Sequence, residues 1–272
     1  MSVCEIEIVR PPNKSCDFRF AIFDFDGTLS LLREGWQSVM VSYFVEVILN
    51  TSPNECELSV NNEVKKFVDL LTGKQTIYQC IHLVSAVERR DIKALSALEY
   101  KTEYLRRLME KIKWRVDSLY NFDSNPNDYL VSGCVDFLQI LRNKNISLYL
   151  ASGTDEPDVV KEAELLKIAK YFDGGIYGAS DSTMECAKET AVRKILSKNG
   201  MDPSQLLVFG DGYVEIQLVK SFGGYAVAVA TNEATRKGID PDKRERLLSA
   251  GADAVIADFS EPVKLANYLI GA

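Results

Sequence analysis

The stretch Phe20-Ala-Ile-Phe-Asp24-Phe-Asp26-Gly-Thr28-Leu-Ser30 limits what this chain can fold into more than any other. Phe20 to Phe23, and then Phe25, form an apolar and largely β-favouring run, the pattern of a short strand buried on both faces. Asp24 and Asp26 interrupt the run at its C-terminal end. Residues two apart on a strand project to the same side, so both carboxylates can face one crevice. Gly27 then permits a sharp turn out of the strand. A buried strand gains nothing from two like charges, because an unpaired carboxylate is costly to bury. Paired carboxylates at a strand end therefore point to a cation between them, and oxygen ligands favour Mg²⁺. An acidic turn that merely faces water fits the two-residue spacing equally well.

After Ser30 the apolar period becomes helical. Trp36, Val39, Met40, Tyr43, Phe44, Val47 and Ile48 recur at three and four, one face of an amphipathic helix ended by the loop at Pro53. Val64, Phe67, Val68 and Leu71 predict a second helix, closed by Thr72-Gly73. Ile77, Ile81, Val84 and Val87 predict a third, and Leu98, Leu105, Leu108, Met109 and Ile112 a fourth on a highly charged helix. The linker from Asn121 to Asp128, with Asn125-Pro126, ends this block. Beyond it strands alternate with helices. A helix is expected over 133–141 and a strand over 147–151. Asp155 can cap a helix with Pro157 in its first turn, running to about Tyr171. A weak strand at Ile176-Tyr177, a helix over 188–196 stopped at Asn199-Gly200, and strands over 206–209, 225–230 and 254–257 follow. Alternating βα units imply a parallel sheet covered on both faces. The expected fold is α/β, a doubly wound parallel sheet with an inserted all-helical cap: core residues 1–31 and 131–272, cap residues 32–130.

Three further places carry chemistry-bearing residues at strand ends or helix starts. Leu148-Tyr-Leu-Ala-Ser152-Gly153-Thr154 is a strand ending in a hydroxyl and a glycine, in isolation a common turn. Lys188 stands at a helix start, where the bland alternative is a solvated lysine and the rivals are Lys194 and Lys198. Leu207-Val-Phe-Gly-Asp211-Gly-Tyr-Val-Glu215 is another apolar strand ending in acids. In open α/β sheets, sites form outside the carboxyl ends of the strands, so residues in these places converge.

In this order the four stretches resemble the motifs of the haloacid dehalogenase (HAD) superfamily, and the helical insertion resembles its subgroup with a C1-type cap. The resemblance implies a phosphoryl-transfer enzyme: a phosphatase with Mg²⁺ as cofactor and a small phosphorylated metabolite as substrate, sugar phosphates included. It implies Asp24 as nucleophile, forming an aspartyl-phosphate, and Asp26 as general acid and base oriented by Thr28. Ser152, Gly153 and Lys188 would bind phosphoryl oxygens. Mg²⁺ would take Asp24, the main-chain carbonyl of Asp26 and Asp211, with Glu215, where many members have Asp, binding directly or through water. An acid at position 26 disfavours dehalogenation, and P-type ATPases carry Thr there. A phosphosugar mutase of the β-phosphoglucomutase type shares all four motifs and remains the alternative. A receiver-like phosphorylation switch is a further one, opposed by the cap and by Asp26. Arg33, where the strand hands over to the cap, is a candidate to grip a substrate carboxylate or phosphate bidentately, or else is a surface arginine.

Composition removes other classes. The net charge of −7 disfavours non-specific nucleic-acid binding. No apolar run reaches the ~18 residues of a membrane span, and residues 1–14 lack a signal-peptide core. Six scattered cysteines without a C-x-x-C pair suggest reduced thiols and a cytoplasmic location. With His82 as the one histidine there is no Cys/His zinc cluster, and His82 itself reads as a packed or solvated side chain. Oligomeric state, monomer or dimer, leaves no signature.

Overall fold

The run at Phe20–Phe23 is a strand at the heart of a seven-stranded sheet. The computed structural model of the chain describes residues 6–12, 17–180, 187–199 and 202–271. The strands are β1 (Glu7–Ile8), β2 (Phe20–Phe23), β3 (Ser147–Asp155), β4 (Gly175–Ala179), β5 (Leu206–Gly210), β6 (Tyr225–Val229) and β7 (Ala254–Ile256), in the spatial order β1-β7-β6-β5-β2-β3-β4. All neighbours run parallel except β1, which pairs antiparallel with β7. The expected doubly wound parallel sheet is the observed one, with that short antiparallel strand added at its edge. From β2 the chain moves outward through β3 to β4, then returns to β5 on the other side of β2 and continues to β7. The order therefore reverses between β2 and β5, which makes the crevice above their carboxyl ends the switch point.

The layers follow from strand alternation. Ala21, Phe23 and Phe25 join a core with Leu207, Phe209, Phe137, Val159 and Leu265 on one face, packed by α5 (Cys134–Asn143), α6 (Glu156–Leu165) and α10 (Pro262–Ile270). Ile22, Leu206 and Val208 join Val192, Ile216, Val219 and Leu247 on the other, packed by α7 (Ala187–Asn199), α8 (Tyr213–Phe222) and α9 (Pro241–Ser249). Phe23 and Phe209, register partners across β2 and β5, stack with ring centroids 4.5 Å apart. Phe137, Phe172 and Phe259 surround Phe23 at 6.4 Å. The floor beneath the two central strand ends is thus a rigid aromatic cluster.

Between β2 and α5 lie four helices, α1 (Trp36–Thr51), α2 (Glu57–Leu70), α3 (Thr76–Glu88) and α4 (Ala97–Tyr120), with a core of their own. Two helical faces differ from the expected stripes. On α3 the buried residues are Gln79, Cys80, Leu83, Ala86 and Val87, while Ile81 and Val84 are only half-buried. On α4, Leu98 is exposed and Tyr100, Lys101 and Tyr104 are buried instead. Both helices carry apolar residues on more than one side, and tertiary contacts choose the face. α6 stops at Leu165, with Lys167 in the left-handed region (φ 59°), well short of Tyr171. Asp155 does precede α6, but its side chain makes no cap bond. It accepts instead from Lys101 Nζ at 2.7 Å. Cys56, Cys80 and Cys134 are free thiols, and Cys4, Cys16 and Cys186 lie outside the described residues. No helix among the described residues is long and apolar enough to cross a membrane.

Phe23 is fully buried at the centre of the aromatic cluster, so Phe23→Ala should cost about 3–5 kcal/mol. Equilibrium denaturation in urea, read as a lower midpoint at unchanged slope, checks this.

Candidate active site

The pairing of β2 with β5 builds the site. Phe23 lies opposite Phe209, and the Asp24 amide donates to the Phe209 carbonyl at 2.9 Å, so the ladder continues one residue past the end of β2. Asp24 and Asp211 are therefore carried to the same rim, both buried. Asp24, Asp26, Arg33, Ser152, Gly153, Thr154, Lys188 and Asp211 line one cavity there, together with Thr72, Gly73, Lys74, Gln79 and Tyr104 from the helical block. The turn after Asp26 depends on Gly27, which has φ +79° and whose missing Cβ would lie 2.3 Å from Asp211 Oδ2. Only glycine tolerates both the conformation and the contact.

Ammonium groups stand among these carboxylates. Lys188, at the first turn of α7, pairs with Asp24 Oδ1 at 2.9 Å and makes a still closer contact with Glu215 Oε1. Its side chain is buried, as neither of its rivals is shown to be: Lys194 is exposed, and the side chain of Lys198 lies outside the described residues. Burial pushes the Asp24 carboxyl well above the usual carboxylate range. Lys188 pulls it down, while Asp211 and Asp26 add to the rise. Lys243, at the start of α9, donates to Asp211 Oδ2 at 2.8 Å and to Glu233 Oε1 at 2.5 Å. Burial also raises the Glu233 carboxyl, against the pull of Lys243.

Asp26 is oriented by a different hydroxyl from the expected one. Its Oδ2 accepts from Thr154 Oγ1 at 2.7 Å and, at 3.5 Å, weakly from Ser152 Oγ. Thr28 Oγ1 is buried and makes no hydrogen bond among the described residues. Thr154 follows Ser152 by two on β3, so both hydroxyls face the same side; that spacing was the available signal. Ser152 Oγ also accepts from the Thr154 amide at 3.0 Å.

Arg33 is not a surface residue: it is 5% exposed. Its guanidinium lines the cavity but is held by Glu162 of α6 in a bidentate pair, Nε at 2.9 Å and Nη2 at 2.6 Å from Oε1, with Asp158 at 3.5 Å. Burial pushes the Glu162 carboxyl up, against the pull of Arg33.

The helical block reaches the site through the α2–α3 loop, residues 71–75. A Cβ on Gly153 would lie 2.8 Å from the Lys74 carbonyl, and one on Gly73 (φ +90°) would lie 3.0 Å from Glu215 Oε2. Both glycines allow the loop to lie directly on the strand end and on α8. In the sequence, Thr72-Gly73 signalled only a helix stop. Glu233 and Lys243 were missed as well, although Glu233 follows the end of β6 at the rim where site residues gather.

The donors at the rim are all oxygens, the type Mg²⁺ takes. Asp26 Oδ1 and Glu215 Oε2 are buried acceptors with no hydrogen-bond partner among the described residues, and such acceptors are rare in folded proteins. The donor set fits the ion in kind. Among the described residues no three acidic, histidine or cysteine side chains are grouped to hold a metal ion, and Lys188 and Lys243 are paired with the carboxylates Asp24 and Asp211.

Comparison with known proteins agrees with this geometry. Residues 18–223 match the family model of the haloacid dehalogenase-like hydrolases. A phosphoglycolate phosphatase of Salmonella typhi is 25% identical over 216 residues, 78% of this chain and 81% of that protein. Among solved structures, a predicted phosphoglycolate phosphatase from Haemophilus somnus superposes with a TM-score of 0.61 at 17% identity, covering 93% of this chain and 99% of the other. A β-phosphoglucomutase from Clostridium difficile does so at 0.61 and 14% identity, covering 90% and 92%.

The Arg33–Glu162 pair can be separated from a substrate grip. Arg33→Ala should destabilise the protein by about 3–5 kcal/mol, because it strands a buried carboxylate. The double change Arg33→Met with Glu162→Leu should restore most of that loss. A fully stable Arg33→Ala protein with a raised KM would assign the arginine to substrate instead.

Proposed function

The chain belongs to the haloacid dehalogenase-like hydrolase family, and within it we propose a Mg²⁺-dependent phosphatase that hydrolyses a small phosphorylated metabolite through an aspartyl-phosphate on Asp24. The observation that carries this reading is the placement of Asp24: a buried carboxylate at the end of the central strand, held by Lys188, next to Asp211 and beneath the α2–α3 loop. A carboxylate so costly to bury has a use that the fold alone does not supply. The similarity to phosphoglycolate phosphatases supports phosphomonoesters as the substrate class.

Phosphoryl transfer needs in-line positioning and stabilisation of charge on the equatorial oxygens. Lys188 orients Asp24 through Oδ1 and presents its ammonium to the phosphoryl group, with Ser152 Oγ and the Gly153 amide as further donors. Asp24 attacks phosphorus and the bond to the leaving oxygen breaks. Asp26, steered by Thr154, gives that oxygen its proton. Water then attacks phosphorus of the aspartyl-phosphate, Asp26 takes its proton back from the water, the bond to the Asp24 oxygen breaks, and inorganic phosphate leaves. Asp24, the Asp26 carbonyl and Asp211 would hold Mg²⁺, with Glu215 bound directly or through water. The ion supplies the positive charge that lets an anionic carboxylate approach an anionic ester. The helices over residues 36–120 act as a cap whose loop 71–75 keeps bulk water from the reacting atoms.

Asp24→Asn should abolish phosphate release while the fold, by circular dichroism, stays intact. A panel of phosphorylated metabolites, scored for both phosphate release and isomerisation, separates hydrolysis from mutase chemistry. Asp26→Asn should slow phosphoenzyme formation from alkyl phosphates by roughly 10²–10⁴. With p-nitrophenyl phosphate the leaving group needs no proton, so the same variant should release about one equivalent of nitrophenolate and then nearly stall. Steady wild-type turnover of p-nitrophenyl phosphate would remove Asp26 as the base.

A further inference from the structure

The reaction as derived does not use the second buried ammonium at the rim. Lys243 follows a cap that fixes it: Asp240 accepts from the Lys243 amide at 2.9 Å, and Pro241 opens α9. From there its ammonium reaches Asp211 Oδ2 at 2.8 Å and Glu233 Oε1 at 2.5 Å, with only 15% of the side chain exposed. Arg246, one turn later, donates from Nη2 to the Asp211 carbonyl at 3.3 Å. One helix therefore grips Asp211 by side chain and main chain. Glu233 closes the clamp beneath Gly27, where an added Cβ would meet both Asp211 and Glu233.

We propose that Lys243, braced by Glu233, is a positioning residue that holds the Asp211 carboxylate by one oxygen so that the other is kept ready for the divalent cation. The inference rests on the Mg²⁺-dependent reading above. A bare ammonium on Asp211 would cancel the charge that a cation needs. Glu233 removes that objection, because Asp211, Lys243 and Glu233 together carry the same single negative charge as Asp211 alone. The clamp thus adds orientation without subtracting attraction, as outer partners of metal ligands do.

The test holds charge constant and removes only the clamp. The double variant Lys243→Met with Glu233→Gln leaves Asp211 as the one charge of the three. MgCl₂ is titrated calorimetrically into the full chain without substrate, and the Mg²⁺ requirement for phosphate release is measured alongside. The double variant should bind Mg²⁺ about 10–100-fold more weakly, with the requirement for turnover rising in step. Lys243→Arg, which keeps the cation, should recover most of the affinity. If the double variant does not fold, Lys243→Gln with Glu233→Gln carries the same charge and the same expected loss. A folded variant that binds Mg²⁺ as tightly as wild type, or more tightly, overturns the inference and makes Lys243 a structural ion pair or a competitor of the ion. A wild-type protein that binds no Mg²⁺ overturns the metal reading itself and the inference with it.

Discussion

Everything around the site answers one electrostatic problem: the parallel pairing of β2 with β5 sets two buried carboxylates, Asp24 and Asp211, side by side at the rim of a low-dielectric core. At separations of a few ångströms such like charges repel by several kcal/mol even at an effective dielectric near 20. The fold brings one ammonium to each. Lys188 arrives from α7 on Asp24, and Lys243 from α9 on Asp211. Both helices lie on the same face of the sheet, which is why both cations approach from one side. The opposite face holds the stacked Phe23–Phe209 pair and its neighbours, which fix the strand ends that carry the acids.

The side of the helical block uses the same device for a different end. Arg33, on the connection from β2 to α1, is buried with Glu162, and Lys101 on α4 is buried with Asp155 at the end of β3. Each pair joins the helical block, or the segment leading into it, to the β3–α6 region that carries Ser152 and Thr154. Buried ion pairs contribute little net stability, yet breaking one is expensive. Such pairs define where the four helices sit against the sheet rather than how firmly the chain is folded. Loop 71–75 then completes the fit: its approach leaves no room for a Cβ on Gly153, and Gly73, at φ +90° and close against Glu215, takes a conformation that favours glycine.

How much of this was legible in the sequence depended on whether the information was local. Strand-end acids, a lysine at a helix start and the alternation of strands with helices are local patterns. The sheet, the family, and the gathering of Asp24, Asp26, Ser152, Lys188 and Asp211 around one cavity followed from them. What escaped was non-local. The face that α3 buries is chosen by its neighbours, so Leu83 and Ala86 are buried where Ile81 and Val84 were expected. Asp155 looked like a helix cap because its partner, Lys101, lies 54 residues away. The resemblance implies Thr28 as the group orienting Asp26, whereas the hydroxyl that does so is that of Thr154, which lies 128 residues away along the chain. Lys243 and Glu233 belong to a loop and helix whose only link to Asp211 is through space.

The charge balance at the rim bears directly on how a phosphate ester could enter. Asp24, Asp26, Asp211, Glu215 and Glu233 face two ammoniums, Lys188 and Lys243. Arg33 adds nothing to the positive side, because Glu162 already neutralises it. A dianionic ester meeting this rim would be repelled, and bare carboxylate attack on phosphorus would be slower still. In the proposed reaction, the proton that Asp26 gives the leaving oxygen also lowers the negative charge at the rim. In the proposed reading, a divalent cation held by Asp24 and Asp211 would offset two of the negative charges. In that reading, the acids that would repel a phosphate ester are the ones that would hold the cation, and the binding of substrate and ion would be coupled through them.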